Sequence, residues 1–514
     1  MLARHREALA AAAIAGSVAA LLVWLAPRGG DYAAHAYQRG LFLRHGFTFW
    51  DNYWYEGRYA FVGYSLLYYP LAAWLGIELL AVLCVVVAAA AFAVLVEREW
   101  GERAVWASRT FAVLWAGVLL TGEFPFLLGM ALALLALVAL QAGRQWLAAL
   151  LIFAVAASSP VAFVLLAIAA AAIAAFRSFR LVATCAFVVA ALVELALLRI
   201  FRAGGTLGFP WLEAAEAIVF CLGGIALTLG AERAAPLRRF LVLYLLVVLA
   251  VWVVPSGLGH DVARVRLLAL PLVLLLAALR RWRPLPAVAA AVLLAAVWNI
   301  QPLASQWRAS AADGSRAAKA WTAPVAWLHA HVEPGYRVEA VDTSQHWAAY
   351  YLAGEGIPLA RGWYRQDDFP FNRILYTLPL DYLDGVEGWE YLEYMDWLHR
   401  MGIGYVVATR FPLDHSAVVE DAIVTTALQP VFRTSDVSIY RVPRPRSIAS
   451  GGARVLALHQ ASVVVRVPRA GDYRIAVRWS VFSRATDGVT YRTPDGMTGF
   501  RALRPGVATL SFAP

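Results

Sequence analysis

The strongest constraint on this chain is apolar sequence that no aqueous fold could hide: between Arg109 and Arg177 the only charged residues are Glu123 and Arg144. A helix rises 1.5 Å per residue, so about 20 apolar residues cross a hydrocarbon core of roughly 30 Å. Eleven runs have about that length: 8–26, 77–96, 104–120, 124–141, 146–159, 160–176, 181–198, 214–230, 240–254, 265–279 and 285–301. The fifth and sixth are separated only by Ser158-Ser159-Pro160. The first run differs from a secretory signal, since Leu25-Ala26-Pro27-Arg28 is a poor cleavage site and further spans follow at once. Composition agrees: 61% of residues are hydrophobic and 15% charged, against roughly 45–50% and about 25% in ordinary globular chains. A soluble enzyme is excluded.

The net charge of +10 does not mark a nucleic-acid surface. Lys319 is the only lysine, and the arginines of the first 300 residues sit mainly in short loops between apolar runs. Fourteen arginines, from Arg4 and Arg6 to Arg283, fall in one set of alternate loops. Seven fall in the other, namely Arg39, Arg44, Arg58, Arg199, Arg202, Arg264 and Arg266, although its loops are longer. The positive-inside rule then predicts a multi-pass plasma-membrane protein with a cytoplasmic N-terminus and, after eleven spans, an extracytoplasmic C-terminal portion. Cys84, Cys185 and Cys221 lie in apolar segments without metal or redox spacing, so no metal site is expected from them.

From Gln301 the character changes. Residues 302–445 predict an α/β domain: helices at Trp321–His331, Gln345–Ala353 and Trp389–Met401, with strands at Tyr336–Val341 and Ile403–Ala408. In residues 446–514, Ser462–Val467, Tyr473–Trp479, Gly488–Arg492 and Val507–Phe512 alternate apolar and polar side chains around glycine turns. That pattern predicts a small β-sandwich, a candidate carbohydrate-binding module.

The chemistry-bearing residues cluster at the outer ends of the runs, starting with the first outer loop, residues 28–76 of a transmembrane domain 1–301. Residues 31–45 have helical spacing and are expected to lie along the membrane surface. Asp31 and His35, four apart, share one helical face; a carboxylate there can act as a general base toward a hydroxyl. Asp31 after two glycines also reads as a helix N-cap, although Ala34 stands where a capping box would place Glu or Gln. Residues 47–69 carry eleven aromatics, among them Trp50, Trp54 and Tyr68-Tyr69, mixed with Asp51, Glu56 and Arg58. They read either as an interfacial aromatic belt or as rings that stack on sugar or line a lipid groove. Glu123 in Thr121-Gly122-Glu123-Phe124-Pro125 is either a helix-start carboxylate or a second site acid. Glu194 is expected to pair with Arg199 or Arg202. Arg264 and Arg266, on the side that disfavours positive charge, are accounted for by a phosphate partner or by salt bridges to Asp261 or Glu194.

These residues carry a resemblance. Asp31…His35…Gly46…Trp50…Gly57…Tyr68-Tyr69-Pro70, Glu123-Phe124-Pro125-Phe126-Leu127-Leu128-Gly129, Ser159-Pro160, Gly259…Arg264-Val265-Arg266-Leu267 and Leu398-His399-Arg400-Met401-Gly402-Ile403-Gly404-Tyr405-Val406-Val407 resemble the GT-C superfamily of membrane glycosyltransferases. The pattern is most similar to bacterial membrane proteins labelled 6-pyruvoyl-tetrahydropterin synthase-related, relatives of the YfhO-like group. No histidine cluster here supports pterin chemistry. The chain departs from the superfamily in lacking a second acid beside Asp31, where Tyr32 stands, and in having Leu71 in place of a second proline.

The resemblance implies a polytopic α-helical GT-C fold and transfer of a sugar from a polyprenyl-phosphate carrier to an envelope glycan, lipid or protein. Asp31 would be the base, with His35 and Glu123 beside it. Arg58, Trp50, Trp54, Tyr68, Tyr69, Arg264 and Arg266 would hold substrate in the presence of membrane lipid. A divalent cation is an open requirement, and no nucleic acid is a partner. A flippase for a lipid-linked saccharide and a non-catalytic glycan-binding scaffold are the competing functions.

Overall fold

A computed structural model describes residues 6–174, 181–201, 205–377, 389–512 and 514. Arg4, Arg177, Arg180 and Arg202, counted above for orientation, and the end of run 160–176 lie outside them. The chain divides into two compact units, one of Met1–Tyr32, Tyr64–Arg202 and Thr206–Arg308, the other of Ala33–Gly63, Ala203–Gly205 and Ala309–Pro514.

The first unit is helical and membrane-embedded. Among its described residues, eight segments are long and apolar enough to cross a membrane. One of them, Ile77–Thr121, is 45 residues long, about twice what a bilayer needs. It breaks where Gly101 ends helix Ile77–Trp100 at φ 63 and a tight turn leads into helix Val105–Leu114. Two shorter apolar helices, Gln145–Ser158 and Pro160–Ala174, complete the set. Every one of the eleven apolar runs is therefore helical over most of its described residues.

Which residues these helices bury inverts the rule for water. Helix Arg6–Leu25 buries Ala8, Ala11, Ala15 and Ala19, a stripe of small side chains at helical spacing. Helix Leu181–Ile200 buries only Ala183, Ala186 and Ala190, while Leu192, Leu195 and Leu198 are exposed. Small residues let backbones approach and large apolar ones face outward, as packing in lipid favours. Glu194 in that helix makes no ion pair with Arg199 among the described residues.

The second unit holds two sheet systems. A mixed four-stranded sheet runs in the order Arg337–Ala340, Ile403–Thr409, Val437–Arg441, Gln429–Arg433. Its first pair is parallel and the others antiparallel, and it is accompanied by helices Lys319–His331, Trp347–Gly354, Trp389–Met401 and Val418–Ala427. The β-sandwich follows. One sheet orders Arg484–Ala485, Gly506–Ser511, Ser462–Val467 and Arg454–His459; the other orders Gly488–Arg492, Met497–Ala502 and Gly471–Arg478.

The aromatic loop up to Gly63 belongs to this unit, and two of its tryptophans are packed inside it. Trp50 stacks on Phe512 at 5.4 Å within the sandwich core, and Trp54 stacks on Tyr37 at 4.3 Å while its indole N–H donates to the Ala349 carbonyl at 3.0 Å. Buried charge fastens the same loop. Arg478 pairs with Glu56 at 3.4 Å and with Asp368 at 2.5 Å, Arg58 pairs with Asp367 at 3.0 Å, and Asn372 donates to Glu56. Nearby, Arg361 meets Glu339 at 2.8 Å, Asp342 at 3.3 Å and also Glu420. Breaking such a buried set leaves an uncompensated charge.

The alanine stripe generates a prediction. Ala15→Leu overpacks a helix interface and should destabilise by about 1–3 kcal/mol, whereas Leu195→Ala on an exposed face should leave the thermal midpoint in detergent within a degree or two. Equal midpoint losses in the two variants would contradict this packing.

Candidate functional site

The site of the helical unit rests on two glycine turns in contact. Gly30 has φ 56, and a Cβ on it would meet the Thr121 carbonyl oxygen at 2.0 Å. Gly122 has φ 73, and its Cβ would meet the Tyr32 and Asp31 nitrogens at 2.7 and 2.9 Å. Only glycine permits both the left-handed backbone and this approach. The Asp31 N–H donates to the Thr121 carbonyl at 3.0 Å, so Asp31 is carried to the turn that presents Glu123.

Glu123 immediately precedes helix Phe124–Gln141, with Pro125 in its first turn, yet its side chain makes no capping hydrogen bond. Its Oε1 instead lies 3.2 Å from Nε of Arg264, and Oε2 is buried without a hydrogen-bond partner among the described residues. Arg264 comes from the tight helical segment Gly259–Leu268. Its Nη2 is 3.0 Å from Asp261 Oδ1, and its guanidinium stands 5.1 Å over the Phe126 ring. Asp261 in turn lies 3.6 Å from His260 Nε2.

Three carboxylates, Asp31, Glu123 and Asp261, thus gather around one arginine. The Asp31 carboxyl is partly buried and, among the described residues, makes no hydrogen bond or ion pair. It is therefore not used as an N-cap. Burial above all, then the negative charge of Glu123 and of Asp261, against the opposing pull of Arg264, pushes its pKa up from 3.8 to about 7.

Around this cluster, Tyr32 donates to Glu78, which also takes Arg28 at 2.8 Å. The Tyr32 ring meets Phe124 edge-on at 5.7 Å, and Tyr68 lies parallel to Phe124 at 6.4 Å. Tyr68 and Tyr69 are both buried. Arg266 is half-buried, pairs with no carboxylate among the described residues, and uses its carbonyl to accept from Asn299 at 2.7 Å. Glu78 was missed in the sequence; its one signal was an acid in the first turn of an apolar run.

The remaining candidates are elsewhere. His35, Trp50, Trp54 and Arg58 belong to the second unit and are buried there. Trp50 and Trp54 fill its core and Arg58 pairs with Asp367. Asp31 and His35, expected on one helical face, are divided between the units. Among the described residues no group of three or more His, Cys, Asp or Glu side chains is placed to hold a metal ion. Arg264 already pairs with both Glu123 and Asp261.

No protein-family model matches the chain, and no curated protein matches it. Among solved structures it is similar to the arabinofuranosyltransferase AftD from Mycobacteria. One cryo-EM structure shows 17% identity and a TM-score of 0.48 over 91% of this chain and 41% of that one. An R1389S mutant structure of AftD shows 16% identity and 0.47 over 98% and 59%. The Archaeoglobus fulgidus oligosaccharyltransferase gives 14% identity and 0.35 over 78% and 68%. The chain thus spans between 41% and 59% of the length of these two AftD chains. Identities this low and TM-scores below 0.5 leave the reaction to the chemistry of the site.

The raised pKa has a consequence for stability. Asp31 keeps its proton to about pH 7 when folded but loses it near 3.8 when unfolded, so its ionisation opposes folding. Its stabilising contribution is complete below about pH 4 and is lost as pH rises through 7. Asp31→Asn should therefore raise the thermal midpoint at pH 8 more than at pH 5, followed by tryptophan fluorescence in detergent. A shift of equal size at both pH values would refute the raised pKa.

Proposed function

We propose that the chain is a membrane glycosyltransferase that moves a sugar from a polyprenyl-phosphate carrier to a hydroxyl of an envelope glycan, lipid or protein at the extracytoplasmic face. The N-terminus is then cytoplasmic and the sheet-bearing unit lies outside. One observation carries this reading: an unengaged carboxyl, Asp31, with a pKa of about 7, sits in the turn before helix Tyr32–His45 in a cluster with Glu123 and Arg264. A general base is most effective when its pKa lies near the working pH, and a lipid phosphate is already a good leaving group. The sequence resemblance to GT-C enzymes supports the same chemistry.

In this mechanism the acceptor hydroxyl gives its proton to a carboxylate oxygen of Asp31. Its oxygen forms the new bond to the anomeric carbon, and the bond from that carbon to the phosphate oxygen breaks, the phosphate leaving with the electron pair. Positive charge at the departing oxygen lowers the barrier. Arg266 suits that role because no carboxylate occupies it, whereas Arg264 is held between Glu123 and Asp261 and keeps these acids in place. Glu123 is a positioning residue that sets the proton affinity of Asp31.

The test is purified protein with radiolabelled lipid-phosphate sugars. Asp31→Asn should lower transfer by about 10²–10⁴-fold while carrier binding persists, an outcome that a flippase or a scaffold would not give. Wild-type kcat/KM should rise as pH passes about 7, where Asp31 loses its proton. Glu123→Gln removes a neighbouring negative charge and should move that rise to lower pH; Arg264→Gln should move it higher. Transfer by Asp31→Asn at the wild-type rate would sink the assignment.

A further inference from the structure

The second unit contains a cavity of about 680 Å³ that the transfer reaction does not use. Its floor is one rung of the sandwich. Arg484 is directly opposite Ser511, Ser511 opposite Ser462, and Ser462 opposite His459, so four polar residues line up across four strands. Directly opposed residues share a face and stand about 5 Å apart. Along these strands Val463, Val465, Ala508 and Leu510 are buried in the core, which puts the rung on the opposite, outer face.

The aromatic loop supplies the wall: Tyr53, and His45 at the end of helix Tyr32–His45, line the cavity with Gln460. That wall is pinned. The Asn52 side-chain amide donates to the His459 carbonyl at 2.8 Å, and the Asn52 backbone N–H donates to the Gln460 carbonyl at 2.9 Å. Gln460 donates to Asp51 at 2.7 Å. The Asp51 carboxylate behind it is further occupied by the Tyr37 hydroxyl at 2.9 Å and the Tyr53 N–H at 2.9 Å.

Five polar side chains of the cavity are unengaged. Among the described residues no hydrogen bond or ion pair takes up the side chains of His45, His459, Ser462, Arg484 or Ser511. No carboxylate side chain lines the cavity. The Arg484 guanidinium calls for an anion, while two imidazoles, two hydroxyls and an aromatic ring call for a ligand that both hydrogen-bonds and stacks. A sugar bearing an acidic group meets both demands.

We propose that this cavity is a binding site for an anionic saccharide, one carrying a carboxylate or a phosphate, seated on the Arg484–Ser511–Ser462–His459 rung. It is separate from the Asp31 cluster and stands whether or not that cluster transfers sugar.

The experiment is calorimetric titration of the full chain in nanodiscs with glucuronate, glucose 6-phosphate, glucose and inorganic phosphate. Glucuronate or glucose 6-phosphate should bind at least about tenfold more tightly than glucose or phosphate alone; the better of the two identifies the acidic group. Arg484 is exposed, so Arg484→Gln should fold normally and weaken the anionic sugar about tenfold, the loss of one charged hydrogen bond. Asp31→Asn should bind it as the parent does, which keeps this outcome distinct from any failure of transfer. Glucose binding as tightly as glucuronate, an Arg484→Gln variant binding like the parent, or no binding by either anionic sugar overturns the proposal.

Discussion

The helical unit depends at one end on a backbone contact that tolerates no side chain. Gly30 and Gly122 both take left-handed conformations, and each would drive a Cβ into the other's turn. Through this contact a residue just past the first helix and a residue just before Phe124–Gln141 reach one place. The charges of Glu123, Asp261 and Arg264 act on Asp31 because the two turns touch. Desolvation and two acidic neighbours raise the proton affinity of Asp31 while one arginine restrains it, and this balance produces a group poised near neutrality.

Some of this was legible in the sequence because some of it is local. The length of an apolar run decides whether it spans, and all eleven runs are helical over most of their described residues. Trp389–Met401 and Ser462–Val467 begin and end at the expected residues, since amphipathic helix and alternating strand are written in neighbouring positions. The strands Gln429–Arg433 and Val437–Arg441 were not foreseen: the first is an exposed edge carrying Pro430, and its burial pattern shows no alternation. Asp31, Glu123 and Arg264 could be picked out as charges in apolar surroundings. Their grouping could not, because it rests on the apposition of glycines some ninety positions apart.

The aromatic loop shows where local reading stops. Eleven rings between two apolar runs look the same whether they face lipid, sugar or protein. The buried pairs Arg478–Glu56 and Arg58–Asp367 explain why the loop carries acids and a base that an aromatic belt would not need. Charged residues in a core are retained only with partners, and here the partners lie in the C-terminal half. Tyr55 and Glu56 also hold positive φ values of 56 and 58, a conformation that needs surrounding structure to impose it.

That placement has a consequence for biosynthesis. Asn52 and His459 are 407 residues apart, and Glu56 and Arg478 are 422 apart. At roughly 5–20 residues per second of synthesis, the loop exists for some tens of seconds before its partners are made. Throughout that interval Trp50, Trp54 and Tyr55 lack the core that will cover them, a large apolar surface open to chaperones and to wrong neighbours. For the same reason the C-terminal half made by itself would lack the tryptophan at the centre of its sandwich.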